Sequence, residues 1–321
     1  MPGLLERLGV DVPVVQAGMG GGISRHELAA AVSEAGGLGT IAVHGAEAIA
    51  RELRAARALT GKPLAVNVLL PFARADWFDA AARADVVVTF WGRPRRRTPG
   101  VWLHQCGSVE EARAAAAAGA DGLIVQGVEA GGHVRGRVPA LELLARVRDA
   151  LVPGAPPLLL AGGIAERGDV RTALEAGAVA AVAGTRFLAS PESRAHPAYR
   201  ERVAAGRETV LTELFGLGWP APHRVLPNAA TERWLRDDMR GPRSLRALNA
   251  ASGVGARWIP PKLQARLARA QRPGGPLLSP TPAADDGLAT LVEAGPLYAG
   301  ETVARINDVR PAAELVAALT P

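Results

Sequence analysis

The feature that most limits the fold is a unit that recurs within residues 1–189: a helix closed by Ala-Gly, then a short run of small apolar residues. It appears at Ala35-Gly36, Ala118-Gly119 and Ala176-Gly177, and Ala84-Asp85 has the same shape without the glycine. The apolar runs fall at 10–17, 38–43, 64–70, 85–90, 101–106, 121–125, 158–160 and 179–183. Short continuous apolar runs separated by helical stretches are the pattern of parallel strands covered on both faces. Eight such runs predict a (β/α)8 barrel, with a doubly wound sheet as the alternative.

The helices between the runs carry their own start and stop signals. Ser24 with Glu27, and Ser108 with Glu111, have capping-box spacing, for helices over 25–35 and from 109 to Ala118. Further helices are expected at 46–59, 76–84, 139–150 and 169–176, and a Pro/Arg-rich loop at 92–100. After Phe187 the texture changes. Prolines, irregular helices and Trp219, Trp234 and Trp258 mark a helical cap rather than more barrel. The expected organisation is a barrel over 1–189, a substrate cap over 190–300, and a C-terminal segment over 301–321 whose helix packs on the barrel. Residues 296–300 are expected to return to the barrel mouth.

Composition removes several functional classes. Aromatic residues are 4% of the chain, too few for a groove that stacks nucleic-acid bases. The net charge of +6 is spread over arginines that alternate with acids, apart from one cluster at Arg93, Arg95, Arg96 and Arg97. A single cysteine, Cys106, allows no internal disulfide and fits a reducing cytoplasm. No apolar stretch has the roughly 20 residues of a membrane helix, so no membrane partner is expected. The six histidines lack metal-ligand spacing, and no metal site is expected.

In a barrel the chemistry sits at the C-terminal ends of the strands, and phosphate is held by the loops after the last two. Ala161-Gly162-Gly163-Ile164 follows the seventh run and Gly184-Thr185 follows the eighth. These glycines can aim backbone N–H groups at a phosphate, and Thr185 adds a hydroxyl. Other strand ends supply Met19, Asn67 and Gln126. The stretch after the sixth run, Gln126-Gly-Val-Glu-Ala-Gly-Gly-His133, ends in one titratable group. Its Gly131 and Gly132 would let backbone approach a ligand. A phosphate grip, two amides and one base suit a protein whose cofactor does the hard chemistry.

On these residues the chain resembles the nitronate monooxygenase family, formerly called 2-nitropropane dioxygenases, which are FMN-dependent barrels. The matching pieces are Gln16-Ala-Gly-Met19, Val66-Asn67, Gln126-Gly with Glu129-Ala-Gly-Gly-His133, Ala161-Gly-Gly-Ile164 and Gly184-Thr-Arg-Phe187. The resemblance implies FMN phosphate at Gly163, Gly184 and Thr185. It places Gly18, Met19, Asn67 and Gln126 around the isoalloxazine and ribityl chain. It makes His133 the catalytic base or substrate-orienting group, with a nitronate or nitroalkane and O2 as substrates. An imidazole suits that work because its unperturbed pKa of about 6.5 is close to operating pH.

A flavin-dependent enoyl-acyl-carrier-protein reductase shares the barrel, the FMN loops and a Gly-Gly-His segment, and would use NAD(P)H. A phosphate-binding barrel without catalysis is the non-enzymatic alternative. Arg93–Arg97 follows the fourth run on the active-site side; a solvated loop is the favoured reading, and a grip on the phosphate of a dinucleotide, coenzyme A or carrier-protein substrate is the alternative. Tyr298 is placed near the flavin or substrate by position only. Oligomeric state is left open, with a homodimer as the assembly entertained.

Overall fold

The structure, a computed structural model, describes residues 3–255, 266, 268 and 270–321. Eight parallel strands form the barrel: β1 (Val14–Gln16), β2 (Gly39–Ile41), β3 (Leu64–Leu69), β4 (Val86–Phe90), β5 (Val101–Cys106), β6 (Gly122–Gln126), β8 (Leu158–Ala161) and β9 (Ala180–Ala183). Their order is β1-β9-β8-β6-β5-β4-β3-β2. The ring closes at a parallel bridge between Val15 and Leu38, where Leu38 N–H donates to Val14 O at 3.0 Å and Gln16 N–H to Leu38 O at 2.9 Å. The barrel expectation holds and the doubly wound alternative does not.

The two-residue period of the strands sorts their side chains. Val15, Ala65, Val88, Leu103, Ile124, Leu159 and Val182 share one buried cluster inside the barrel, with Leu4 of the first helix, α1 (Leu4–Leu8), packed among them. Val14, Trp102, Leu123, Val125, Leu158 and Leu160 face outward onto the helices. Two residues beyond each inward position lies the residue that must look into the C-terminal mouth. That set is Ala17, Asn67, Phe90, Gln105, Gln126, Ala161 and Gly184, and all seven line one cavity.

The helical ring is α2 (His26–Glu34), α3 (Ala46–Leu59), α4 (Ala75–Ala81), α5 (Val109–Ala117), α6 (Ala140–Ala150) and α7 (Arg167–Glu175). The eighth place is taken by the chain's last helix, Ala312–Leu319. Its Leu315, Val316 and Leu319 join the outer core, and it packs against α2 and α7. Between β9 and that helix run α8 (Thr185–Leu188), α9 (Pro197–Ala205), α10 (Ala229–Trp234), α11 (Arg243–Gly255) and two strands of a small second sheet. The second sheet has the order β10-β11-β7, from β10 (Val210–Thr212), β11 (His223–Val225) and β7 (Gly132–His133), all antiparallel. Trp258 lies outside the described residues. Among the described residues, no helix is long and apolar enough to cross a membrane.

Several sequence expectations need correction. The first strand starts at Val14, not at residue 10, because Pro13 has no N–H to give to the ladder. Ser24 does not cap α2. Its Oγ accepts the Met19 N–H at 2.9 Å and holds the glycine loop after β1 in shape. Ser108 does cap α5, its Oγ accepting the Glu111 N–H at 3.2 Å. No helix separates β4 from β5; the 91–100 loop alone makes that parallel crossover. A dozen or more residues and a helix are usual for such a connection.

Gly39 shows how tightly the ring is drawn, since a Cβ there would overlap the carbonyl of Ala29 on α2. Gly39→Ala is expected to cost about 1–3 kcal/mol through overpacking, read as a lower urea midpoint with unchanged slope. An unchanged midpoint would mean that α2 can move away.

Candidate active site

The cavity at the C-terminal mouth has a volume of about 1760 Å³. That exceeds the roughly 300–1,000 Å³ of a typical single-ligand pocket, so it has room for a cofactor and a second molecule. The residues expected from sequence converge on it. The loop after β1 brings Gly18 and Met19, β3 brings Asn67, and β6 brings Gln126. The loop after β6 brings Gly131, Gly132 and His133. The end of β8 brings Ala161, Gly162 and Gly163, and the end of β9 brings Gly184 and Thr185.

The two glycine loops present free donors. Gly162 and Gly163 have φ of 105° and 78°, a region closed to most other residues. The N–H groups of Gly163, Ile164 and Thr185 find no acceptor among the described residues. Thr185 Oγ1 accepts the Gly300 N–H at 2.8 Å, which leaves its hydroxyl proton to donate. A Cβ at Gly163 would meet nothing within 4 Å, so open space lies before it.

The amides divide into one that is committed and one that is not. Gln126 donates from Nε2 to His133 O at 3.0 Å and accepts the Arg135 N–H at 2.9 Å. Its first task is therefore to fix the loop that carries His133, with one N–H left over. The Asn67 side chain hydrogen-bonds to nothing among the described residues and lies against Gly18, where a Cβ would sit 2.5 Å from the Asn67 Cβ. Gly131 lines the cavity and is glycine for a further reason. A Cβ there would lie 2.5 Å from Gly300 N, so it makes room for the returning 299–300 segment.

His133 is held by rings. Trp219 stacks on it with centroids 3.7 Å apart, and Tyr298 lies 5.4 Å and His223 5.5 Å away. Its Nε2 is buried without a hydrogen-bond partner. Burial first, and then the neighbouring His223 imidazole, hold its pKa well below 6.5, so the ring is neutral at neutral pH. His223 is fully satisfied: its Nδ1 donates to Ala221 O at 2.9 Å and its Nε2 accepts the Phe215 N–H at 3.2 Å. Tyr298 donates to Pro280 O at 2.9 Å, and burial raises its pKa.

Sequence reasoning missed Trp219, Trp91 and His223 as neighbours of His133. Only Trp91 left a usable signal, a large aromatic directly after a barrel strand. It has φ of 63°, a rare conformation for a bulky residue, and its ring lies 5.3 Å from Trp219 and 6.2 Å from His133. Cys106 is buried with its thiol pKa pushed up to about 12, so it is no nucleophile. Among the described residues, His26, Glu27 and Glu52 form one compact group of metal-ligand types, already joined by the 2.6 Å His26–Glu52 contact and the 3.0 Å Arg194–Glu27 pair.

The nitronate monooxygenase family profile matches residues 2–91 and 95–321. The chain belongs to the nitronate monooxygenase family. Members of this family are flavin-dependent oxidoreductases, and this chain is an enzyme of that class. Its backbone superimposes on nitroalkane oxidase from Streptomyces ansochromogenes with a TM-score of 0.73 and 31% identity, covering 96% of this chain and 94% of that one. On FabK from Thermotoga maritima the TM-score is 0.76, with 27% identity, 98% of this chain and 94% of that one. A relative from Mycobacterium tuberculosis H37Rv is 34% identical over 249 residues, 72% of this chain and 67% of its own length. It is named (3aS,4S,5R,7aS)-5-hydroxy-7a-methyl-1-oxo-octahydro-1H-indene-4-carboxyl-CoA dehydrogenase.

The buried imidazoles set a pH dependence. Burial lowers His223 to about 4, and burial, then Arg135, lowers His104 to about 4, from 6.5. Between those values the unfolded chain binds protons that the native one does not, so stability falls as pH falls from 6.5 to about 4. The expected loss is up to about 3 kcal/mol for each histidine, seen as a declining urea midpoint. A midpoint that stays level from pH 7 to 4.5 would refute it.

Proposed function

We propose that this cavity binds FMN and that the enzyme oxidises nitronates, and nitroalkanes after deprotonation, with O2 as the electron acceptor. The free N–H groups of Gly163, Ile164 and Thr185, with the Thr185 hydroxyl proton, are donors that suit the FMN phosphate. Gly184 and Gly162 shape those two loops, and Ala161 leads into them. Asn67 and the remaining N–H of Gln126 suit the polar edge of the isoalloxazine and the ribityl chain, with Gly18, Met19 and Gly132 leaving space beside them. FMN supplies, when bound, the electron transfer and O2 chemistry that no side chain here possesses.

The observation that carries the reading is the buried, unpartnered Nε2 of His133. A neutral imidazole with a free nitrogen is the form that accepts a proton. His133 takes the α-proton of a nitroalkane, leaving an imidazolium beside the nitronate anion, and the two opposite charges stabilise each other. A substrate that arrives as the nitronate needs no base, and His133 then only orients it. Trp219 fixes the plane of the imidazole, and residues 190–300 act as the substrate cap.

A nitronate added anaerobically to the purified yellow protein is expected to bleach it; colour that persists would sink the reading. His133→Asn is expected to keep the flavin and to lower kcat/KM on neutral nitroalkanes by about 10²–10⁴-fold, with a smaller effect on nitronates. Equal losses on both would remove His133 as the base. Because the free base is held well below 6.5, kcat/KM for a freshly dissolved nitroalkane is expected to stay level as pH drops to 6.5.

A second reading, a flavin reductase drawing on NAD(P)H, is favoured by the relative named for a CoA-linked substrate and by uncompensated arginines beside the cavity. Rapid anaerobic bleaching by NADH or NADPH would select it.

A further inference from the structure

A side cleft of about 290 Å³ opens beside the main cavity. Leu70, Pro71, Ala73 and Arg74 line both, so the two spaces are adjoining. Arg74, Arg93, Arg95 and Arg97 line the cleft, and no carboxylate does. None of these four guanidiniums has an ion pair or hydrogen bond among the described residues. Arg97 lies over the Phe78 ring at 5.7 Å, which positions it without neutralising it. The fifth arginine of the region behaves differently. Arg96 reaches Asp121 at 2.7 Å and Gly100 O at 3.1 Å, so it anchors the loop while its neighbours face the cleft.

Four like charges around a concave surface focus a positive potential, and they repel one another until an anion arrives. Guanidinium groups match phosphate oxygens with paired N–H donors. Trp91 forms part of the cleft lining, and its ring meets His133 and Trp219 edge-on. Its left-handed backbone is the kind of strain that persists where surrounding contacts hold it. The family match breaks at residues 92–94, inside this loop, so Arg93 is not part of what marks the family.

We propose that this cleft binds the pyrophosphate-bearing tail of a ligand larger than a simple nitronate, whose reacting end enters the main cavity beside His133. The proposal rests on the reading of the main cavity as a flavin site. The shared chemistry is an adenosine carrying a pyrophosphate, which a coenzyme A thioester and a reduced nicotinamide dinucleotide both contain.

The test is calorimetric titration of ADP into the FMN-loaded protein at low salt. Binding is expected, weakened at least about tenfold in Arg95→Ala and in Arg97→Ala, less in Arg95→Lys, and weakened by added salt. Flavin absorbance and circular dichroism report the fold of each variant. Failure of ADP to bind, or affinity unaltered in both alanine variants, overturns the proposal. Coenzyme A and NADPH titrated in competition identify the source, and NADPH alone would also bleach the flavin. If neither displaces ADP, the cleft is no tail site and the proposal fails. Flavin uptake and nitronate bleaching are scored on the same samples, so loss of the cofactor reading and loss of the cleft are separate outcomes.

Discussion

Gly132 and His133 pair as a two-residue strand with Arg224 and His223, and the geometry of the mouth depends on that pairing. A loop at a barrel rim has no partner of its own, and its backbone polar groups must be satisfied somewhere. Here β11 supplies them. Arg224 reinforces the join by donating from Nε and Nη2 to Val128 O at 3.2 and 2.8 Å, and it pairs with Glu301 at 2.9 Å. Gln126 braces the same loop from the barrel side. The imidazole of His133 is thus fixed from both directions before any ligand enters.

That arrangement also explains the electrostatics. The pairing brings His223 beside His133; Trp219 and Tyr298 pack on His133, and Phe215 and Tyr298 on His223. Two adjacent imidazoles in an apolar setting resist protonation more than either would alone. His223 spends both nitrogens on backbone groups, so it is unreactive and acts as a spacer. His133 keeps one nitrogen free. The difference between the two neighbouring histidines follows from backbone placement: His223 is enclosed between Ala221 O and the Phe215 N–H, whereas His133 is half-buried at the cavity wall.

The barrel was legible in the sequence because its signals are local. Ala-Gly helix ends and apolar runs of strand length recur with the regularity that eight parallel strands require, and the two-residue period then points Asn67, Gln126 and Ala161 into the mouth. The glycines after β8 and β9 were visible for the same reason. What could not be read depends on partners distant in sequence. Ser24 has capping-box spacing with Glu27, yet its hydroxyl serves Met19, because the glycine loop needs closing more than the helix needs a cap. Gly131 looked like space for a ligand, and its missing Cβ also leaves room for residues 299–300. Trp219 and His223 became site residues only when β11 paired with β7, and no short-range pattern announces an antiparallel pairing of two and three residues across some ninety positions.

The position of the chain's last helix has a mechanical consequence. By filling the eighth place between α7 and α2, Ala312–Leu319 turns everything from α9 to the 3-10 turn Glu301–Arg305 into an insertion within one β/α unit. A cover stitched to the barrel at both ends, and again at β7, is not a hinged door. It cannot lift away as a body without unzipping β7 from β11, the pairing that holds His133. A molecule entering the cavity must then pass along the rim, while the wall that carries His133 stays assembled.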